Sequence, residues 1–125
     1  MPKFLGTGGL LQENSTGGIG YGTGAGGAVT QATSRVTGVT LSKPTGAITL
    51  FSKTTTANLV ESFTVTNTLV AVTDTINLSV RGTNVYFVMV TNVAAGSFRI
   101  SVFTPAAATV EAPTINFAVV KAVAA

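Results

Sequence analysis

The sequence predicts an all-β protein: a two-sheet antiparallel sandwich of Greek-key or jelly-roll type, preceded by an extended glycine-rich N-terminal arm. Three observations carry this expectation. Apolar and polar residues alternate with a period of two in segment after segment, which sets one face of a strand toward a core. No helical periodicity is sustained for ten residues anywhere. Ten of the fourteen glycines fall before residue 28, so the chain divides into an arm, 1–27, and a sandwich domain, 28–125.

The arm comes first. Thr16-Gly-Gly-Ile-Gly-Tyr-Gly-Thr-Gly-Ala-Gly-Gly27 has too little side chain to pack as a helix or a strong strand by itself, because glycine loses the most backbone entropy on ordering. Phe4, Leu5, Leu10, Leu11, Ile19 and Tyr21 are nevertheless spaced through it. A free Gly/Ser linker lacks such residues, so these six are read as interface anchors that dock on another surface. The glycines do not form a phosphate loop. Gly20–Gly27 lacks the Gly-Lys-Ser/Thr ending, and no strand precedes it nor helix follows.

The strands follow in order. Residues 28–41 are rich in Thr and Val, with Val36, Val39 and Leu41 leading to a turn at Ser42-Lys-Pro-Thr-Gly46, where Pro44 presets φ and Gly46 is expected to permit the reversal. Ala47–Phe51 places Ile48 and Leu50 on one face. In Leu59–Asn67, Leu59, Phe63 and Val65 oppose Ser62, Thr64 and Thr66. Ile76, Leu78 and Val80 repeat the period, as do Phe98, Ile100 and Val102 against Arg99 and Ser101; Ile115–Val123 is the last strand. Val85–Val90 is apolar on both faces and predicts either a central strand covered twice or a subunit contact. Pro105–Pro113, Ala-rich and bracketed by prolines, reads as a loop.

Composition narrows function. Only 9% of residues are charged, against about a quarter in an ordinary domain, so hydroxyl and methyl groups must cover the surface. Neither His nor Cys occurs, which removes thiol nucleophiles, His bases, disulfides and Cys/His zinc sites. The four carboxylates, Glu13, Glu61, Asp74 and Glu111, are too scattered to form an acid–base pair or a Ca²⁺ site. Glu61 shares the face of Leu59 and Phe63, which predicts a place near the strand end, where it reaches solvent or pairs with a cation such as Arg81 or Arg99; Asp74 reads as a turn cap. The expectation is a non-enzyme with no catalytic residues, cofactor or metal.

The net charge is +3, but the seven cations are nowhere adjacent, unlike the clustered Lys/Arg of a nucleic-acid binder. No apolar run has the length of a signal peptide or a membrane helix. No nucleic-acid or membrane partner is expected, and synthesis is expected in a cytoplasm.

The run from Gly20 through Leu50, with Ser62-Phe-Thr-Val-Thr-Asn67, the Thr73-Asp74 step, Ala94-Ala-Gly-Ser-Phe-Arg-Ile100 and Asn116-Phe-Ala-Val-Val-Lys121, resembles small structural proteins of tailed bacteriophages. The resemblance spans about residues 20–121 and leaves the first nineteen outside it. It implies a virion protein of the capsid decoration (cement) type, made in the host cytoplasm and carried on the capsid surface. The implied partners are the major capsid protein and other copies of the chain, with a trimer favoured. The alternative is another virion component, a tail or head-fibre protein that binds host-surface carbohydrate.

Overall fold

The computed structural model describes residues 3–4, 12–13 and 18–122. In the arm, β1 (Lys3–Phe4) and β2 (Gln12–Glu13) pair antiparallel. Beyond it lie β3 (Gly26–Thr30), β4 (Val39–Thr40), β5 (Thr45–Thr49), β6 (Lys53–Thr55), β7 (Leu59–Thr66), β8 (Thr75–Arg81), β9 (Phe87–Ala94), β10 (Ser97–Thr104), β11 (Ala108–Glu111) and β12 (Thr114–Val120). No helix occurs among the described residues.

Two four-stranded sheets, ordered β4-β7-β10-β9 and β3-β5-β12-β8, pack face to face as the alternation predicts, and β6 pairs with β11 as a separate two-stranded sheet. The core is made by the inward parity of each strand. Phe63 and Val65 come from β7, Phe98, Ile100 and Val102 from β10, and Ile115, Phe117 and Val119 from β12, joined by Ile48 and Leu50. The Phe98 and Phe117 rings meet edge to face across the sheets at 5.5 Å, the arrangement their quadrupoles favour.

Each sheet departs from pure antiparallel order at one edge, because β3 pairs parallel with β5 and β4 parallel with β7. Parallel neighbours need a crossover. Here a strand of the facing sheet supplies it: β4 lies between β3 and β5 in the chain, and β5 between β4 and β7. The tight hairpin between β9 and β10 turns on Ala95-Gly96, with Gly96 at φ 83°, a conformation that favours glycine.

Three sequence expectations change. Gly46 lies inside β5 rather than at the reversal, and it is needed for space. A Cβ there would sit 2.6 Å from Leu41 Cδ2 and 2.9 Å from the Gly27 carbonyl oxygen. The Pro105–Pro113 stretch is not all loop, because Ala108–Glu111 forms β11 against β6. Val85–Val90 is not a central strand, since β9 is a sheet edge with one face open. Strand β3 also begins at Gly26, two residues before the compositional boundary, because pairing with β5 supplies the order that its glycines lack.

Candidate interaction surfaces

Three of the four carboxylates, Glu61, Asp74 and Glu111, serve the framework. Glu61 pairs with Lys53 at 2.9 Å, a strand-end ion pair as expected but with a different cation, because β6 brings Lys53 beside the start of β7. Asp74 caps its turn by accepting the Ala71 amide at 2.9 Å and pairs with Lys121 at 2.7 Å. Burial raises the Asp74 pKa, but the Ala71 amide and Lys121 outweigh it and the net shift is downward. The Glu13 side chain lies outside the described residues.

Glu111 is the centre of a cluster that composition did not reveal. Its carboxylate accepts hydrogen bonds from the Thr83 amide, from the Asn84 amide and Nδ2, and from Tyr86 Oη at 2.6 Å. Burial raises its pKa, but these donors favour the anion and hold it down at about 2. Burial and the same contact push the Tyr86 hydroxyl above its usual value.

Arg35, only 2% exposed, lies 5.9 Å from the Tyr86 ring centroid and donates to the carbonyls of Phe51 and Glu111. Gln31 holds the same loop by donating to the Arg35 and Thr37 carbonyls and accepting the Phe51 amide. The cluster therefore ties the 31–38 loop and the 82–86 crossover to β11. Its carboxylate is saturated with donors, which suits a structural tie rather than proton transfer.

Of the six arm anchors, only Ile19 and Tyr21 have described side chains. Ile19 is 66% exposed; Tyr21 lies on the body, its hydroxyl donating to the Val119 carbonyl at the end of β12. The Phe4 backbone is part of β1, but its side chain, like Leu5, Leu10 and Leu11, lies outside the described residues.

The two broad outer faces differ in chemistry. On the β3-β5-β12-β8 sheet the outward positions are mostly small or polar, among them Ala28, Ala47, Thr49, Thr114, Asn116, Asn77 and Ser79, with Val120 an apolar exception and Arg81 the one charge. An open depression of about 250 Å³ lies here, lined by Thr45, Asn77, Ser79, Asn116 and Ala118 among others.

The opposite face is half hydroxyl and half apolar. Ser62, Ser101 and Thr91 link their hydroxyls across β7, β10 and β9 at 2.7 and 2.8 Å, and Arg99 Nε donates to Thr91 Oγ1. Thr91 reaches both partners because the β9–β10 register shifts between Arg99 and Ile100, which leaves Thr91 unpaired opposite β10. At the other end, Phe87 and Phe103 stack at 6.2 Å between ring centroids, with Val60 the register partner of Phe103 and Met89 that of Ser101. Val60 is 58%, Phe87 54% and Met89 48% exposed.

The sequence singled out Phe87 and Met89 within Val85–Val90. It passed over Val60 and Phe103, although both are apolar residues at the outward parity of their strands, and that misplaced parity was the available signal. Comparison with family models, with curated proteins and with solved structures finds no match to this chain.

Proposed function

We propose that this chain is a non-enzymatic structural protein of a tailed-phage virion, one that binds the outside of the capsid and stabilises the shell. Its partners in this reading are the major capsid protein and further copies of itself. One structural observation carries the reading beyond the sequence resemblance: two broad sheet faces whose strands place a single charge each outward, Arg99 on one and Arg81 on the other. Charged groups are costly to desolvate, so faces with so few of them suit lying against protein. Many copies on a lattice convert weak single contacts into firm attachment.

The test is the copy number of the chain in purified virions, by quantitative mass spectrometry against the major capsid protein. A ratio near one to one, or a simple fraction of it, is expected. Absence from particles overturns the virion reading.

A second reading, a tail or head-fibre protein that binds host-surface carbohydrate, draws on the depression over β8 and β12. The side chains of Asn77, Ser79 and Asn116 that line it make no hydrogen bond to other described residues, so their donors and acceptors are open to a polyhydroxyl ligand. A handful of copies per particle, with binding to host polysaccharide, favours this reading over the first.

A further inference from the structure

We infer that Arg99 is a carboxylate-binding site: its guanidinium, set in place by Thr91, takes an Asp or Glu side chain of a partner protein. The inference rests on the structural-protein reading only in taking the partner to be a protein.

The cations of the chain differ in how they are engaged. Lys53 and Lys121 pair with Glu61 and Asp74, and Arg35 is buried. Among the described residues, Lys43, Arg81 and Arg99 pair with no carboxylate. Of these, only Arg99 is held by hydrogen bonds from its side chain. Its Nε donates to Thr91 Oγ1 at 2.9 Å and its Nη2 to the Thr91 carbonyl at 3.4 Å. One edge of the guanidinium is therefore engaged on Thr91. The Nη1–Nη2 edge is left, and Nη1 has no partner among the described residues. A guanidinium only donates, and the parallel N–H bonds of one edge match the two oxygens of a carboxylate.

The mount that aims Arg99 is built into the sheet. Thr91 is the residue that the β9–β10 bulge leaves unpaired, and a bulge re-aims the side chain it carries. Thr91 Oγ1 also lies 2.8 Å from the hydroxyl of Ser101, which is only 7% exposed and lies 2.7 Å from that of Ser62. The acceptor that orients Arg99 is thus itself anchored across β9, β10 and β7. Exposed ion pairs contribute little partly because two long side chains must be ordered to form them. Here Arg99 is ordered before any partner arrives, which lowers that cost.

The chemistry favours a single carboxylate over phosphate. A nucleic-acid backbone calls for several cations on one face, and the strands β7, β10 and β9 place Arg99 alone outward. No acid on this face competes for the free edge.

The test is a titration of the purified full chain, followed by the Arg81 and Arg99 Nε–H resonances in proton–nitrogen correlation spectra. Sodium acetate is added to about 100 mM, well above the constant of a millimolar pair, against sodium chloride at equal ionic strength. The Arg99 resonance is expected to move saturably and several times further with acetate than with chloride. Arg81, on the opposite face and without side-chain hydrogen bonds to other described residues, should show no such difference. Thr91→Val keeps the charge and suits a strand but removes the orienting hydroxyl, so it should reduce the acetate response of Arg99 to that of Arg81. Equal movement of Arg99 with acetate and chloride overturns the inference, as does an unaltered acetate response in folded Thr91→Val. A larger response to phosphate than to acetate at equal ionic strength overturns the carboxylate assignment. In cosedimentation with capsids, Arg99→Gln should cut binding several-fold and Arg81→Gln should leave it unchanged; unchanged binding of Arg99→Gln overturns the shell as the source of the carboxylate. The titration needs no capsid, so absence of the chain from virions defeats the virion reading and leaves the acetate result standing.

Discussion

Replacing Glu111 with Gln tests the electrostatic tie between the 82–86 crossover and β11. The side chain keeps its shape, but the anion that receives the Thr83 and Asn84 amides, Asn84 Nδ2 and Tyr86 Oη is gone. Folding lowers the carboxyl from 4.5 to about 2. At about 1.4 kcal/mol per pH unit that is worth roughly 3 kcal/mol, and solvent reaching a half-buried carboxylate reduces it to about 2 kcal/mol. The sign follows from the direction of the shift. A group whose pKa is depressed in the folded state contributes fully above its unfolded value, here 4.5, and loses that contribution as pH falls toward about 2.

Urea unfolding of the wild type and Glu111→Gln at pH 7, 5, 4, 3 and 2 is the assay. The variant should be less stable by about 2 kcal/mol at pH 7, or roughly 5–10 °C in melting temperature for a domain of this size. The gap should narrow between pH 4.5 and 2. Asp74, whose pKa is also lowered, titrates in both proteins and cancels from the comparison. A gap that stays constant from pH 7 to pH 2 refutes the view that the Glu111 charge, rather than its shape, ties the crossover to β11.

Four further outcomes follow from the geometry. Gly46→Ala should cost about 1–3 kcal/mol in chemical denaturation through overpacking, because its Cβ meets Leu41 and the Gly27 carbonyl, whereas Gly22→Ala, with nothing within 4 Å, should be near neutral. Arg35→Met should lose about 2–4 kcal/mol in the same assay, and Arg35→Lys should not restore it, since one ammonium cannot span the Phe51 and Glu111 carbonyls as the guanidinium does. Tyr21→Phe removes one bond to the Val119 carbonyl and should cost about 1 kcal/mol, read as a small drop in thermal midpoint. Removal of residues 1–17 leaves Tyr21 and β3 intact and should abolish attachment to capsids in a cosedimentation assay if the arm anchors there, with no change in the β-rich circular dichroism spectrum.

Much of the body was legible because burial in a sandwich imposes a period of two. Wherever Phe63–Val65, Ile76–Val80, Phe98–Val102 and Ile115–Val119 alternate with polar residues, the structure has a strand, and the inward parity is the core. Legibility failed where long-range partners decide. Gly46 looked like a turn residue because its neighbours Pro44 and Thr45 suit a turn; only Leu41 and Gly27, brought in from elsewhere, show that it is needed for space. Glu111 in an Ala-rich loop gave no sign of its role, since its donors lie 25 to 28 residues earlier in the chain.

The candidate surface shows the same division. Local pattern marked Val85–Val90 as apolar on two sides, a property of the segment alone. That β9 sits at an edge, that Phe103 and Val60 extend its open face, and that a bulge aims Thr91 at Ser101 and Arg99 depend on strand order and register. The sequence by itself determined strand periodicity, the low-charge hydroxyl surface and the chemistry left out of reach without His or Cys, because these are properties of composition and of neighbours along the chain. The tertiary structure decided which apolar residues share one face, which carboxylate meets four donors and which glycine has no room for a methyl, because each of these is a distance between residues far apart in sequence.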